Sequence, residues 1–159
     1  MTSAPLPQPR FRASRTLRAV VIGLAIVAIP AFADNLADAQ RQIKRGDYAQ
    51  ALESVNAQLA ETPDEAKARF LKGVIFTETN KTDEAIAVFT KLTEDYPEMP
   101  EPYNNLAVLY ARQQLYDKAR MALEMAIQAH PTYATAYENL GDLHAKLASQ
   151  AYAKAVQLN

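Results

Sequence analysis

Glu138, Asp142 and His144 are the densest group of chemically capable side chains in the 159-residue sequence. Glu138 and Asp142 stand at i and i+4 on one helix face just before His144, and carboxylates with an imidazole are the residue types that ligate a metal or relay a proton. All three come from a single helical stretch, whereas catalytic constellations are gathered from several elements around a pocket. The second histidine, His130, precedes Pro131 in a connecting loop, where solvation is its expected state. There is no cysteine and no tryptophan. No Gly-rich phosphate loop, nucleophile elbow or zinc-ligand spacing occurs. The expectation is a protein that is not an enzyme, with no catalytic residue, metal or cofactor.

The elements that position these residues begin after a leader. Arg10, Arg12, Arg15 and Arg18 form a basic region without acids, followed by the apolar run Ala19 to Ile29 and by Ala31-Phe32-Ala33, the pattern of a secretory signal peptide with its cleavage site. The run is about half the roughly 20 residues that a membrane span needs. The expected division is a signal peptide over 1–33, cleaved after Ala33, and a domain over 34–159 that is not inserted in the membrane. Without the four leader arginines, the 17 basic and 18 acidic residues of the chain become a net charge of −5. That balance disfavours nucleic acid and anionic membrane surfaces, both of which select a basic face. The expected compartment is a bacterial periplasm, or the medium beyond the cell.

From Pro100 to Pro131 the apolar spacing describes two short helices. Tyr103, Leu106, Ala107 and Tyr110 follow i, i+3, i+4, i+7, and Ala119, Leu123, Ala126 and Ile127 repeat a helical spacing after a break at Gln114. Each is about a dozen residues, marginal alone in water, so each must be stabilised by its neighbours. The unit recurs. Pro63, Pro97 and Pro131 are 34 residues apart, as are Ala51, Ala85 and Ala119, and the series Ala39, Gly73, Ala107, Gly141. This pattern resembles the tetratricopeptide repeat, a 34-residue helix–turn–helix with small residues at positions 8 and 20 and proline at 32. The resemblance implies an all-α, right-handed solenoid of about three and a half repeats, with units at 32–65, 66–99, 100–133 and a truncated 134–159. Small residues at positions 8 and 20 let the helices of a hairpin approach closely. Arg69 and Lys72, at positions 4 and 7 of the second unit, predict looser packing on the first.

In that family the first helices of successive units line a concave groove that receives an extended peptide or a helix. Carried over by position, the groove would present Phe70 and Val74 from the second unit, Asn104, Asn105, Val108 and Arg112 from the third, and Glu138, Asn139, Asp142 and Lys146 from the fourth. Phe70, Val74 and Val108 would form an apolar floor, and Glu138 and Asp142 an acidic end. Asn105 and Asn139, at position 6, could hold a bound peptide's backbone or satisfy local groups. The clamp that chaperone-binding members use for a C-terminal carboxylate is missing, since Phe70, Val74 and Thr135 stand where it requires Lys, Asn and Lys. The implied function is a protein-interaction adaptor or scaffold that binds another envelope protein or a peptide of one. Met99, Met121 and Met125 are expected to pack in the core.

The fourth unit opens normally with Tyr137, Leu140 and Gly141 and ends with Tyr152 to Leu158, which look like positions 24 to 30, but the five residues that should turn the chain are absent. Ala145 to Ala151 contain no Gly or Pro. One long helix from about Tyr133 to Leu158 is expected, with a partly apolar second half. Leu147, Ala151, Tyr152 and Ala155 would then pair with a second copy in a homodimer, the self-assembling alternative to the adaptor. Otherwise the helix bends back as a cap on the third unit, or a later helix of a longer parent covers it.

Overall fold

The computed structural model describes residues 35–158. The leader expected over 1–33 and its cleavage point lie outside them. The described residues are helical throughout, in seven elements: α1 Asn35–Arg45, α2 Tyr48–Glu61, α3 Ala66–Glu78, α4 Thr82–Asp95, α5 Pro100–Arg112, α6 Tyr116–Ala129 and α7 Ala134–Gln157. Three antiparallel pairs stack in sequence, and α7 stands as a single helix at the end.

What ends each first helix is one residue with a left-handed backbone. Gly46, Asn80 and Gln114 have φ of 82°, 58° and 62° and stand 34 residues apart. Each is followed by the same two bonds: Asp47 N–H to Gln42 O at 2.9 Å, Lys81 N–H to Phe76 O at 2.8 Å and Leu115 N–H to Tyr110 O at 2.9 Å, with Gly46, Asn80 and Gln114 donating three residues back. This is the Schellman arrangement, which satisfies carbonyls that the helix end leaves free. At the opposite ends, none of α2 to α7 has a side-chain bond at its N-cap. Pro100 and Pro102 sit in the first turn of α5, where their missing N–H costs nothing.

The next residue of the turn series, 34 after Gln114, is Ala148, and it is helical. Alanine has no ready access to a left-handed backbone, the turn residues are absent, and α7 therefore runs for 24 residues. At 1.5 Å per residue it is about 36 Å long, against about 20 Å for α5. The long helix that the sequence predicts is present as one continuous element.

The core falls into two clusters that meet at α3. Ala39, Ala51, Val55, Ala68, Leu71 and Ile75 make the first. The second is larger, running from Ala85, Phe89 and Leu92 through α5 and α6 to Ala136 and Leu143, and Phe70 and Val74 of α3 pack against it. Polar residues mark the seam on the α2 side. Lys72 donates to Asn56 at 3.0 Å, and Gln58, buried, donates to Thr62 at 3.0 Å and Glu65 at 2.7 Å while its Oε1 has no partner among the described residues. Arg69 turns the other way, to Asp95 at 2.7 Å. Met121 and Met125 differ from expectation: they are 59% and 44% exposed on the outer side of α6. Residues 122, 123 and 126 already fill the inward face there, so the alternating positions point to water.

Candidate functional site

Between α5 and α7, over α6, lies a cavity of about 340 Å³. Its floor is apolar, from Ala107 and Ala111 of α5, Ala119 and Leu123 of α6 and Leu143 of α7. Small side chains leave the space, since alanines of α5 and α6 line it. The rim is polar: Arg112, Asn139, Asp142 and Lys146, with Val108 on the α5 side. Two cations face one carboxylate, and neither Arg112, Asp142 nor Lys146 makes an ion pair among the described residues. Their charges are available to a ligand.

Val108, Arg112, Asn139, Asp142 and Lys146 are thus brought together, as positions on successive first helices. The remaining groove candidates are placed otherwise. Asn104 is buried and accepts a bond from the Asn139 amide at 2.7 Å, which fixes the orientation of Asn139 at the rim. The Asn105 amide donates to the Glu101 carbonyl at 2.8 Å, back along its own helix. Phe70 is half-buried, its ring 5.6 Å from that of Phe89 and inclined at 55°, and Val74 packs against the same cluster. Neither borders the cavity. The apolar floor is built mainly from alanines, and Phe70 is drawn into the core by Phe89. Glu138 is exposed outside the cavity. His144 is exposed too, and no three His, Asp or Glu side chains among the described residues are placed to hold a metal ion.

Tyr116, at the start of α6, is a cavity residue that groove positions on first helices do not indicate. Its hydroxyl accepts a bond from Gln150 of α7 at 3.3 Å. Tyr48 occupies the same place in the first unit, 68 residues earlier, and its hydroxyl donates to Glu78 of α3 at 3.4 Å. Burial first, and the Glu78 carboxylate next, raise the Tyr48 phenol above its ordinary pKa. A tyrosine recurring at twice the repeat period is the sequence signal that would have found it.

Residues 36–100 and 76–147 each match a sequence profile described as tetratricopeptide repeat, and together they span most of the chain. The chain belongs to the tetratricopeptide-repeat family. A curated relative, the tetratricopeptide repeat domain-containing protein PYG7 of Arabidopsis thaliana chloroplasts, is 40% identical over 52 residues, 33% of this chain and 17% of the relative. The chain therefore matches only a small part of that relative's length. Among solved structures, the Sgt2 repeat domain from Aspergillus fumigatus aligns with a TM-score of 0.69 at 14% identity, covering 77% of this chain and 83% of the other. The first repeat domain of Spaghetti (RPAP3), solved with an HSP90 peptide SRMEEVD, aligns at 0.65 and 14%, covering 74% and 93%. At these identities the likeness is one of fold. No helix of the described residues is long and apolar enough to cross a membrane.

Proposed function

We propose that this chain is a non-catalytic interaction module of the bacterial cell envelope, exported by its leader, that binds a peptide segment or helix of a partner protein across the cavity between α5 and α7. The observation that carries this reading is the cavity itself: an apolar floor large enough for one side chain, ringed by an unpaired arginine, an unpaired lysine and an oriented amide. An apolar anchor with convergent polar groups at its edge is the usual form of a recognition site. Asn139, held by Asn104, would grip the ligand backbone, and Arg112 and Lys146 would favour an acidic group beside the anchor. The family relative solved with an acidic peptide supports a peptide ligand in general terms. Phe70, Val74 and Thr135 replace the clamp of the chaperone-binding members, so the preferred motif is expected to differ from a chaperone tail.

The test is an array of peptides covering envelope proteins, probed with the chain and with Val108→Glu, Ala111→Glu and Arg112→Glu. Binding of an apolar–acidic motif, lost in all three variants with the helical spectrum kept, supports the site. Motifs retained by Ala111→Glu would place recognition elsewhere. A second reading, self-assembly, is favoured by the exposed residues of α7.

A further inference from the structure

The fourth unit separates two surfaces that the earlier units keep together. At position 24 of their second helices, Val55, Phe89 and Leu123 are buried. In the second unit Phe89 fills the space above Gly73 so closely that a Cβ on Gly73 would lie 2.6 Å from its ring. Gly141 holds the same position in α7, and nothing lies within 4 Å of where its Cβ would be. The residue with second-helix identity in this unit is Tyr152, eleven positions along the same helix and 74% exposed. A continuous helix keeps the two roughly 16 Å apart along its axis, so Tyr152 cannot reach Gly141 within one chain.

We propose that the two surfaces meet between copies. The chain forms an antiparallel homodimer in which Tyr152 of each α7 lies on the partner's Gly141, supplying the second helix that each fourth unit lacks. A second helix is antiparallel to its first in every complete unit, so the same contact made between copies is reciprocal and closes at two. The surface is continuous. Tyr137, Gly141, His144, Ala148, Ala151 and Ala155 follow alternating steps of four and three, and all are exposed. That spacing is the seam of paired helices, and its small residues allow close approach. Asn139, Asp142, Leu143 and Lys146, which border the groove cavity, lie on the opposite side of α7, so the dimer leaves the groove open.

Sedimentation of the purified chain over about a hundredfold range of concentration tests this, because a specific dimer dissociates by mass action. The expected result is a reversible dimer. Gly141→Leu fills open space in the single chain and should leave the fold intact while weakening the dimer by about tenfold or more, and Tyr152→Ala should do the same. The natural chain has no cysteine. Separately tagged Gly141→Cys and Tyr152→Cys copies, mixed and oxidised, should therefore cross-link tag to tag. A wild type that stays monomeric throughout overturns the proposal. So does a dimer that persists in Gly141→Leu, or a mixture that fails to cross-link.

Discussion

Units 2 and 4 carry the same small residue at the same place and do opposite things with it. Over Gly73 lies Phe89, fully buried, reaching across from α4 into space that any side chain would occupy. Over Gly141 there is nothing, because the chain that would have returned as a second helix continues straight on. The glycine is thus a structural requirement in one unit and an unfilled position in the other. A repeat motif specifies a receptor for a helix, and whether the helix arrives depends on the turn between them. Three units have a residue there that accepts a left-handed backbone, Gly46, Asn80 or Gln114, and the fourth has Ala148 in a run shortened by five residues.

Phe89→Ala breaks the closed unit most directly. It removes a fully buried ring from the meeting point of Gly73 and Phe70, and the expected cost is about 3–5 kcal/mol in urea unfolding, as for other buried aromatics cut to alanine. Tyr152→Ala, the residue in the same register of the open unit, should change unfolding of the dilute chain hardly at all. Equal costs would mean that Tyr152 is packed in the single chain.

Gly73→Ala and Gly141→Ala form the sharper pair, because one substitution should change sign between two sites. At Gly73 the added methyl meets the Phe89 ring at 2.6 and 2.7 Å. Overpacking of that kind costs about 1–3 kcal/mol, more than the roughly 1 kcal/mol that alanine gains over glycine in a helix. At Gly141 the methyl meets nothing, and only the helical gain of about 0.5–1 kcal/mol should appear. Thermal unfolding of the dilute chain reads both. A stabilising Gly73→Ala would show that Phe89 moves aside at little cost.

Much of this was legible in the residues. The 34-residue series gives the all-helical repeat fold, and counting from His144 to Tyr152 exposes the missing turn and the long helix. The division of the core at α3 was not legible, because Leu71 and Ile75 on one side and Phe70 and Val74 on the other are all apolar, and periodicity cannot say which neighbour each apolar face meets. Nor was the role of Asn104. Its amide stands one position from Asn105, and only the packing of α7 on α5 decides that Asn104 is buried and accepts from Asn139 while Asn105 bonds its own helix. Five cavity residues, Val108, Arg112, Asn139, Asp142 and Lys146, stand at positions of the family pattern. The alanine floor was hidden, since alanine at those places reads equally well as close helix packing.

The smallest expected effect is one of charge, and it too separates the units. The pair α3 and α4 is strapped at its far end by Asp95, which accepts from Lys91 at 2.8 Å and Arg69 at 2.7 Å, while α7 has no second helix to be strapped to. The Lys91 bond first, and the Arg69 bond next, hold the Asp95 carboxyl below its ordinary pKa. Its contribution is therefore complete above the ordinary carboxylate range and is lost as pH falls through the lowered value. Lys91 is raised above its ordinary value, chiefly by its bond to Asp95, so its share is complete below the ordinary lysine range and is lost as pH rises through the raised one. Both groups are open to solvent, which keeps the effect small and sensitive to salt. Asp95→Asn should lower the melting temperature slightly at neutral pH, and this difference from wild type should shrink in acid and in high salt. A difference that stays constant from neutral to strongly acid pH would show that Asp95 acts through packing and not through its charge.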